Sequence, residues 1–217
     1  MKTMRFVTWV LAAVPPVLLA LLWKALPGQV PVHWGLNGEV TYGARWELVI
    51  PALLPLLLLA LMRLLPRVDP RRKSYARFQR EYDGFALALT LFLLALNGVS
   101  LVESLRPGTL SVGRAVLVGV GILFAWIGNL LPRVKSNFFM GFKTPWTLSD
   151  PDVWNRTNRL GGILMFALGV GMVPCGLLLP EWACLVVVLG GTAIVVAVPM
   201  ILSYVWYRQK VDRTGGE

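Results

Sequence analysis

The side chains best suited to chemistry in this chain are few and far apart. His33 is the single histidine, and Cys175 and Cys184 are the only cysteines. A closed zinc site wants four ligands, so two thiols and one distant imidazole do not make one. His33 sits beside Trp34 in a stretch punctuated by Pro27, Gly28, Pro31 and the turn pair Asn37 and Gly38. Two readings stand for it: a pH sensor, because imidazole titrates near neutrality, or a loop histidine hydrogen-bonded to backbone. Catalysis needs an acid, base, nucleophile or metal in mutual reach, and no Walker-type phosphate loop occurs. The chain is therefore expected not to be an enzyme and to carry no cofactor. Headgroup chemistry using Lys135, Asp150 or Asp152 is the one catalytic alternative.

A denser pattern lies at residues 128–162, where aromatic and polar residues interleave. Phe138, Phe139, Phe142 and Trp146 are too apolar for a free loop, while Lys135, Asn137 and Lys143 are too polar for hydrocarbon. Such a segment lies at an interface or folds back between helices, where irregular backbone must be covered by protein or water. Asp150, Pro151 and Asp152 then read as a helix start: a capping side chain, a proline at the first helical position and a carboxylate at the positive end of the dipole. That helix carries Trp154, Thr157 and Arg159. A second basic stretch, residues 66–84, sets Tyr75, Phe78 and Tyr82 at helical spacing among cations. The stripe fits a helix lying on anionic headgroups, a docking face for a cytoplasmic protein, or a solvated juxtamembrane helix.

The elements that must position these residues are membrane spans. The chain is 56% hydrophobic and only 15% charged, well above the apolar content of a soluble domain. Apolar stretches over residues 6–23, 48–65, 85–102, 115–131, 160–179 and 183–206 approach the roughly 20 residues a helix needs to cross a bilayer. The expected fold is all-α, a polytopic membrane bundle of about six transmembrane helices. It divides into an N-terminal three-helix region (1–112), with a structured outer loop at 26–46, and a C-terminal three-helix region (113–217). The first stretch also invites a signal-peptide reading, but its length and Pro15 and Pro16 favour a span.

The net charge of +10 does not indicate nucleic acid, because the cations alternate with the spans instead of forming a basic face. Of the 21 lysines and arginines, all but Lys24, Arg45, Arg106 and Arg114 fall on one side. Cations are retained in the cytoplasm, so both ends and the 128–162 segment are expected there. Trp23, Trp46, Trp182 and Trp206 fall at span ends, where indole prefers the headgroup layer. Cys175 and Cys184 flank the last outer turn, either as a disulfide or as two small residues packed between helices.

The 128–162 segment resembles the signature of the SdpI family of bacterial membrane proteins: Gly-Asn, Pro, Asn, Gly-x-Arg-Thr-Pro-Trp-Thr-Leu and Trp-x-x-Thr-His-Arg. Gly128, Asn129, Pro132, Asn137, Gly141, Thr144, Pro145, Trp146, Thr147, Leu148, Trp154, Thr157 and Arg159 fall on those positions. Lys143 stands where the family usually has arginine, and Asn158 where it often has histidine. The proline, His33 and Gly38 arrangement is similar to the short domain of unknown function that commonly precedes this region. The resemblance implies an immunity or receptor protein of the bacterial inner membrane. In that reading the outer loop and bundle engage a membrane-active peptide toxin, and Lys135, Lys143 and Arg159 face a cytoplasmic repressor. The competing class is a small-molecule or ion transporter, whose polar span residues would be Asn97, Ser100, Glu103 and Asn129.

Overall fold

The computed structural model describes residues 2–35 and 39–214, apart from the side chains of Glu181 and Thr214. Leu36, Asn37 and Gly38, and with them the expected turn pair, lie outside the described residues. The described residues form seven α-helices: α1 (Lys2–Leu22), α2 (Val49–Val68), α3 (Gln79–Leu105), α4 (Val112–Leu130), the short α5 (Pro145–Ser149), α6 (Pro151–Leu178) and α7 (Glu181–Thr214). All but α5 are long and apolar enough to cross a membrane. Their outward faces are apolar, as lipid requires; Leu21 and Leu178 are 75% and 80% exposed.

The expected helical membrane bundle is borne out, with one small sheet beside it. The outer loop contains an antiparallel hairpin of β1 (Gln29–Trp34) and β2 (Val40–Ala44), with an irregular register between Pro31 and His33. Proline has no amide to give to the ladder, which accounts for the break there. Val30 is fully buried with Leu19, Leu26, Leu48, Ala52 and Leu101, so the hairpin caps the outer ends of the first three spans. His33 is exposed and Trp34 half-buried, on the opposite face of the bundle from residues 128–162.

Helix α2 shows how the bundle tolerates proline. Pro55 and Pro66 lack an N–H, so the carbonyls four residues earlier, on Pro51 and Met62, lose their helical partners. Asn97 Nδ2 of α3 donates to the Pro51 carbonyl at 3.0 Å, and the Tyr82 hydroxyl donates to the Met62 carbonyl at 2.6 Å. Asn97 thus joins α3 to α2. Glu103 is likewise engaged, accepting from the Gly108 and Leu110 amides at 2.8 and 2.6 Å, where it ties the α3–α4 turn.

Helices α4 and α6 approach through backbone. Gly121 and Gly128 on one, and Gly162 and Gly169 on the other, are each seven residues apart and so share a face. A β-carbon on Gly162 would lie 2.7 Å from the Gly128 carbonyl, and one on Gly121 2.8 Å from the Gly169 carbonyl. Small residues at such a seam let membrane helices gain packing that lipid cannot replace. At the outer end of α6 the Cys184 thiol donates to the Cys175 carbonyl at 3.2 Å, and both cysteines are free.

This seam gives a paired test. Gly169 faces the Ala125 backbone, whereas a β-carbon on Gly171 would meet open space. Gly169→Leu is expected to cost about 3 kcal/mol or more through overpacking, and Gly171→Leu to stay within about 0.5 kcal/mol. Thermal unfolding of the two variants in detergent checks this; equal midpoints would contradict the seam.

Candidate functional site: the folded basic loops

The segment between α4 and α6 is fixed by side chains that hydrogen-bond its backbone. A 3-10 turn (Leu131–Arg133) ends α4, and beyond it the chain wraps around Asn137, which is fully buried. Its amide Nδ2 donates to the carbonyls of Lys135 and Met140, both at 2.9 Å. Its Oδ1 accepts from the amides of Phe139 and Met140 at 2.8 and 2.7 Å. One side chain thereby satisfies four groups that helix or sheet would otherwise pair.

Gly141 follows with φ +109°, which only glycine adopts readily. A β-carbon there would also lie 2.5 Å from Asn158 Oδ1. Asn158 is fully buried on α6, accepts from the Phe142 amide at 2.9 Å and donates to the Trp154 carbonyl at 3.0 Å. The Trp154 indole donates to the Val134 carbonyl at 2.8 Å. Thr144 caps α5, accepting from the Thr147 amide at 3.1 Å, with Pro145 at the first helical position. Thr144 Oγ1 also meets Ser203 Oγ of α7 at 3.1 Å, and the Trp146 ring packs edge-on to Tyr204 at 5.1 Å. The signature positions Asn137, Gly141, Thr144, Pro145, Trp146 and Trp154 therefore form one folded unit with α7.

Four other expected residues lie at its margins. Lys135 and Arg159 are exposed. Lys143 is exposed and donates to the Phe138 carbonyl at 3.2 Å. Thr157 is fully buried, and its hydroxyl has no hydrogen-bond partner among the described residues. Pro132 packs on Gly162, whereas Asn129 faces outward along α4. His33 and Trp34 take no part.

The other basic connection is built into the same unit. Tyr75, Phe78 and Tyr82 do not form a stripe against lipid or solvent. All three are buried, with Tyr75 packed at 5.0 Å from Phe78 and edge-on at 5.2 Å from Tyr82. The helical spacing was a core face, interrupted by a 3-10 turn (Arg72–Arg77) before α3. Asp69, buried at the end of α2, accepts from the Arg71 amide at 2.7 Å, the Tyr75 hydroxyl at 2.8 Å and the Phe138 amide at 2.9 Å. Burial, followed by the Asp69 carboxylate beside it, pushes the Tyr75 hydroxyl far above its usual range, so it stays a neutral donor. Arg71 reaches across as well, donating to Ser136 Oγ and, at 2.6 Å, to the Leu148 carbonyl. Asp69 and Arg71 thus join the two loops, and residue spacing did not single them out. An acid buried among so many cations was the available signal.

Two ion-pair groups hold the surrounding helices. Asp83 of α3 is 1% exposed and pairs with Arg5 of α1 and Arg63 of α2, both at 2.8 Å. Lys210 of α7 pairs with Asp150 and Asp152 at 2.6 and 2.8 Å. Asp150 also caps α6, accepting from the amides of Asp152 and Val153 at 2.8 and 3.0 Å. Burial alone would raise the Asp150 carboxyl, but Lys210 and the two amides together hold it below its ordinary value.

Residues 133–203 match the SdpI/YfhL protein family, and residues 10–59 match a domain of unknown function, DUF1648. The chain is 25% identical over 200 residues to the "Immunity protein SdpI" of Bacillus subtilis (strain 168), covering 87% of this chain and 88% of that protein. The SdpI resemblance read from residues 128–162, and that of the segment preceding it, are thereby borne out. No solved structure matches the chain.

Asn137→Ala would strand the Phe139 and Met140 amides and two carbonyls, so a loss of about 2–4 kcal/mol is expected. Hydrogen exchange should accelerate at Phe139 and Met140 while the middle of α4 keeps its protection. The Asp150 clamp has a pH signature. Because its folded pKa is lowered, its stabilisation is present above the unfolded carboxylate value of about 4 and lost as pH falls through the lowered value. The stability advantage of the parent over Asp150→Asn in detergent should therefore hold near neutrality and shrink on acidification below that range.

Proposed function

We propose that this chain is an SdpI-like immunity protein of the bacterial cytoplasmic membrane, with both ends and the folded basic loops in the cytoplasm. The observation that carries the reading is similarity to an immunity protein along nearly the whole of both chains. The way the family signature positions are spent supports it: they build a closed, hydrogen-bonded cap in place of an open polar cavity. A cap of that kind presents a surface, and surfaces bind macromolecules.

The ligand on this reading is a membrane-active peptide toxin met by the hairpin face and the lipid-facing helices. The basic face, with Lys135, Lys143 and Arg159 exposed, then serves a cytoplasmic repressor. Signalling would require the toxin to bind two arrangements of the bundle with different affinity. The contacts of α7 with the cap, through Ser203, Tyr204 and Lys210, offer a physical route between its lipid-facing surface and the basic face.

The test is survival of cells sensitive to membrane-active peptides, challenged with each small secreted peptide encoded beside the chain's own gene. The parent chain should raise survival against one of them. Asn137→Ala should lose protection along with the fold of the cap. Lys143→Ala should keep its stability within about 0.5 kcal/mol and keep protection, but lose capture of the repressor. Unchanged killing by every such peptide would overturn the proposal.

A further inference from the structure

The seam between α4 and α6 opens toward lipid as a groove of about 500 Å³. Ile122, Trp126, Asn129, Phe166, Val170 and Pro174 line it. It exists because the helices touch through glycine, so larger side chains on either side stand off as walls. From Arg159 below it to Val170 within it, α6 rises about 16 Å at 1.5 Å per residue, close to the depth of one leaflet of a 30 Å core.

The chemistry of its ends is asymmetric. On α6, Arg159 and Phe166 are seven residues apart, with Val170 one turn further, so all three share a helix face. On α4 and the 3-10 turn that continues it, Trp126, Asn129 and Arg133 recur at the same three- and four-residue steps. Both stripes end in arginine on the basic face of the bundle. Arg133 and Arg159 are exposed, and neither joins an ion pair among the described residues. Asn129 is an exposed amide at the polar end of an otherwise apolar wall.

An apolar trough of one-leaflet depth with two guanidiniums at its headgroup end is complementary to an anionic amphiphile. Arginine grips phosphate oxygens in a planar fork, and the walls accept an acyl chain. A zwitterionic headgroup would bring an ammonium against the same arginines. We propose that the α4–α6 groove binds one anionic phospholipid from the leaflet on the basic face. Its acyl chain lies along Phe166 and Val170, its phosphate is held by Arg133 and Arg159, and Asn129 donates to an ester or phosphate oxygen.

Native mass spectrometry of the intact chain released from detergent micelles tests this, titrating phosphatidylglycerol and phosphatidylethanolamine with identical acyl chains. The parent should retain phosphatidylglycerol preferentially. Arg133→Gln with Arg159→Gln should weaken that binding by about tenfold, in line with one to two headgroup cations. Arg72→Gln with Lys73→Gln, on the same face but on the α2–α3 connection, should leave it unchanged. Val170→Trp should weaken both lipids by filling the trough. It also keeps the test decisive if the double arginine variant fails to fold, as judged by its unfolding midpoint. Equal retention of the two lipids by the parent would overturn the proposal, as would equal loss from the Arg72 and Lys73 pair. A Val170→Trp variant that changes the oligomeric state and leaves lipid retention intact would give the groove to a second copy of the chain, and would overturn it too.

Discussion

In hydrocarbon a backbone carbonyl or amide without a partner costs several kcal/mol, and this chain places prolines inside four of its six long helices and an irregular segment between α4 and α5. Helix α3 relieves that constraint for α2. Asn97 and Tyr82 sit fifteen residues apart on α3, each opposite a carbonyl that proline has released. The two bonds pin α2 to α3 near both ends of the span, and Asp83 adds α1 through Arg5. Polar side chains in these spans therefore serve the backbone first. That is why Asn97, which as sequence invites a transport reading, has no spare donor directed at a passing solute: its amide nitrogen serves Pro51 and Leu93 together.

The same constraint explains the signature segment. Residues between the 3-10 turn and α5 form neither helix nor strand, yet the segment is packed into the bundle. Every bend must be paired locally, and Asn137, Asn158 and Asp69 do this with side-chain oxygens, joined by the Trp154 indole. Asparagine suits the first two places because one planar group offers both a donor pair and an acceptor. A neutral histidine at position 158 would offer one acceptor and one donor in a larger ring, so the family's frequent histidine and this chain's asparagine can meet the same demand through different geometry.

Much of this was legible in the residues. Span number follows from apolar length, and the start of α6 from Asp150, Pro151 and Asp152, because capping chemistry is local. The unusual character of 128–162 follows from aromatic residues mixed with cations. What sequence could not yield was long-range pairing. The Tyr75, Phe78 and Tyr82 stripe has the period of an exposed amphipathic face, and periodicity does not say whether a face meets lipid, water or protein. Nor does a run of cations reveal that Asp69 binds an amide 69 residues away. The outer hairpin was missed for a different reason: Val30, Val32 and Trp34 do alternate with Gln29, Pro31 and His33, but a proline inside so short a run argues against a strand.

Charge on the basic face divides by sign. Four of the acids there are engaged internally: Asp69 by amides and a phenol, Asp83 by two arginines of other spans, Asp150 and Asp152 by Lys210 and the start of α6. The cations that remain outside these pairs, among them Arg72, Lys73, Arg77, Arg133, Lys135 and Arg159, are exposed. Retention of cations on one side of the membrane explains their number but not this sorting. Folding buries Asp69 and Asp83 to satisfy backbone and clamp helices, while Asp152 and Asp212 stay exposed among a larger number of exposed cations. An anionic headgroup or an acidic protein surface approaching this face meets an excess of exposed cations. The hydrogen bonds that hold the cap together thereby take Asp69 out of a surface whose exposed charges are mostly cations.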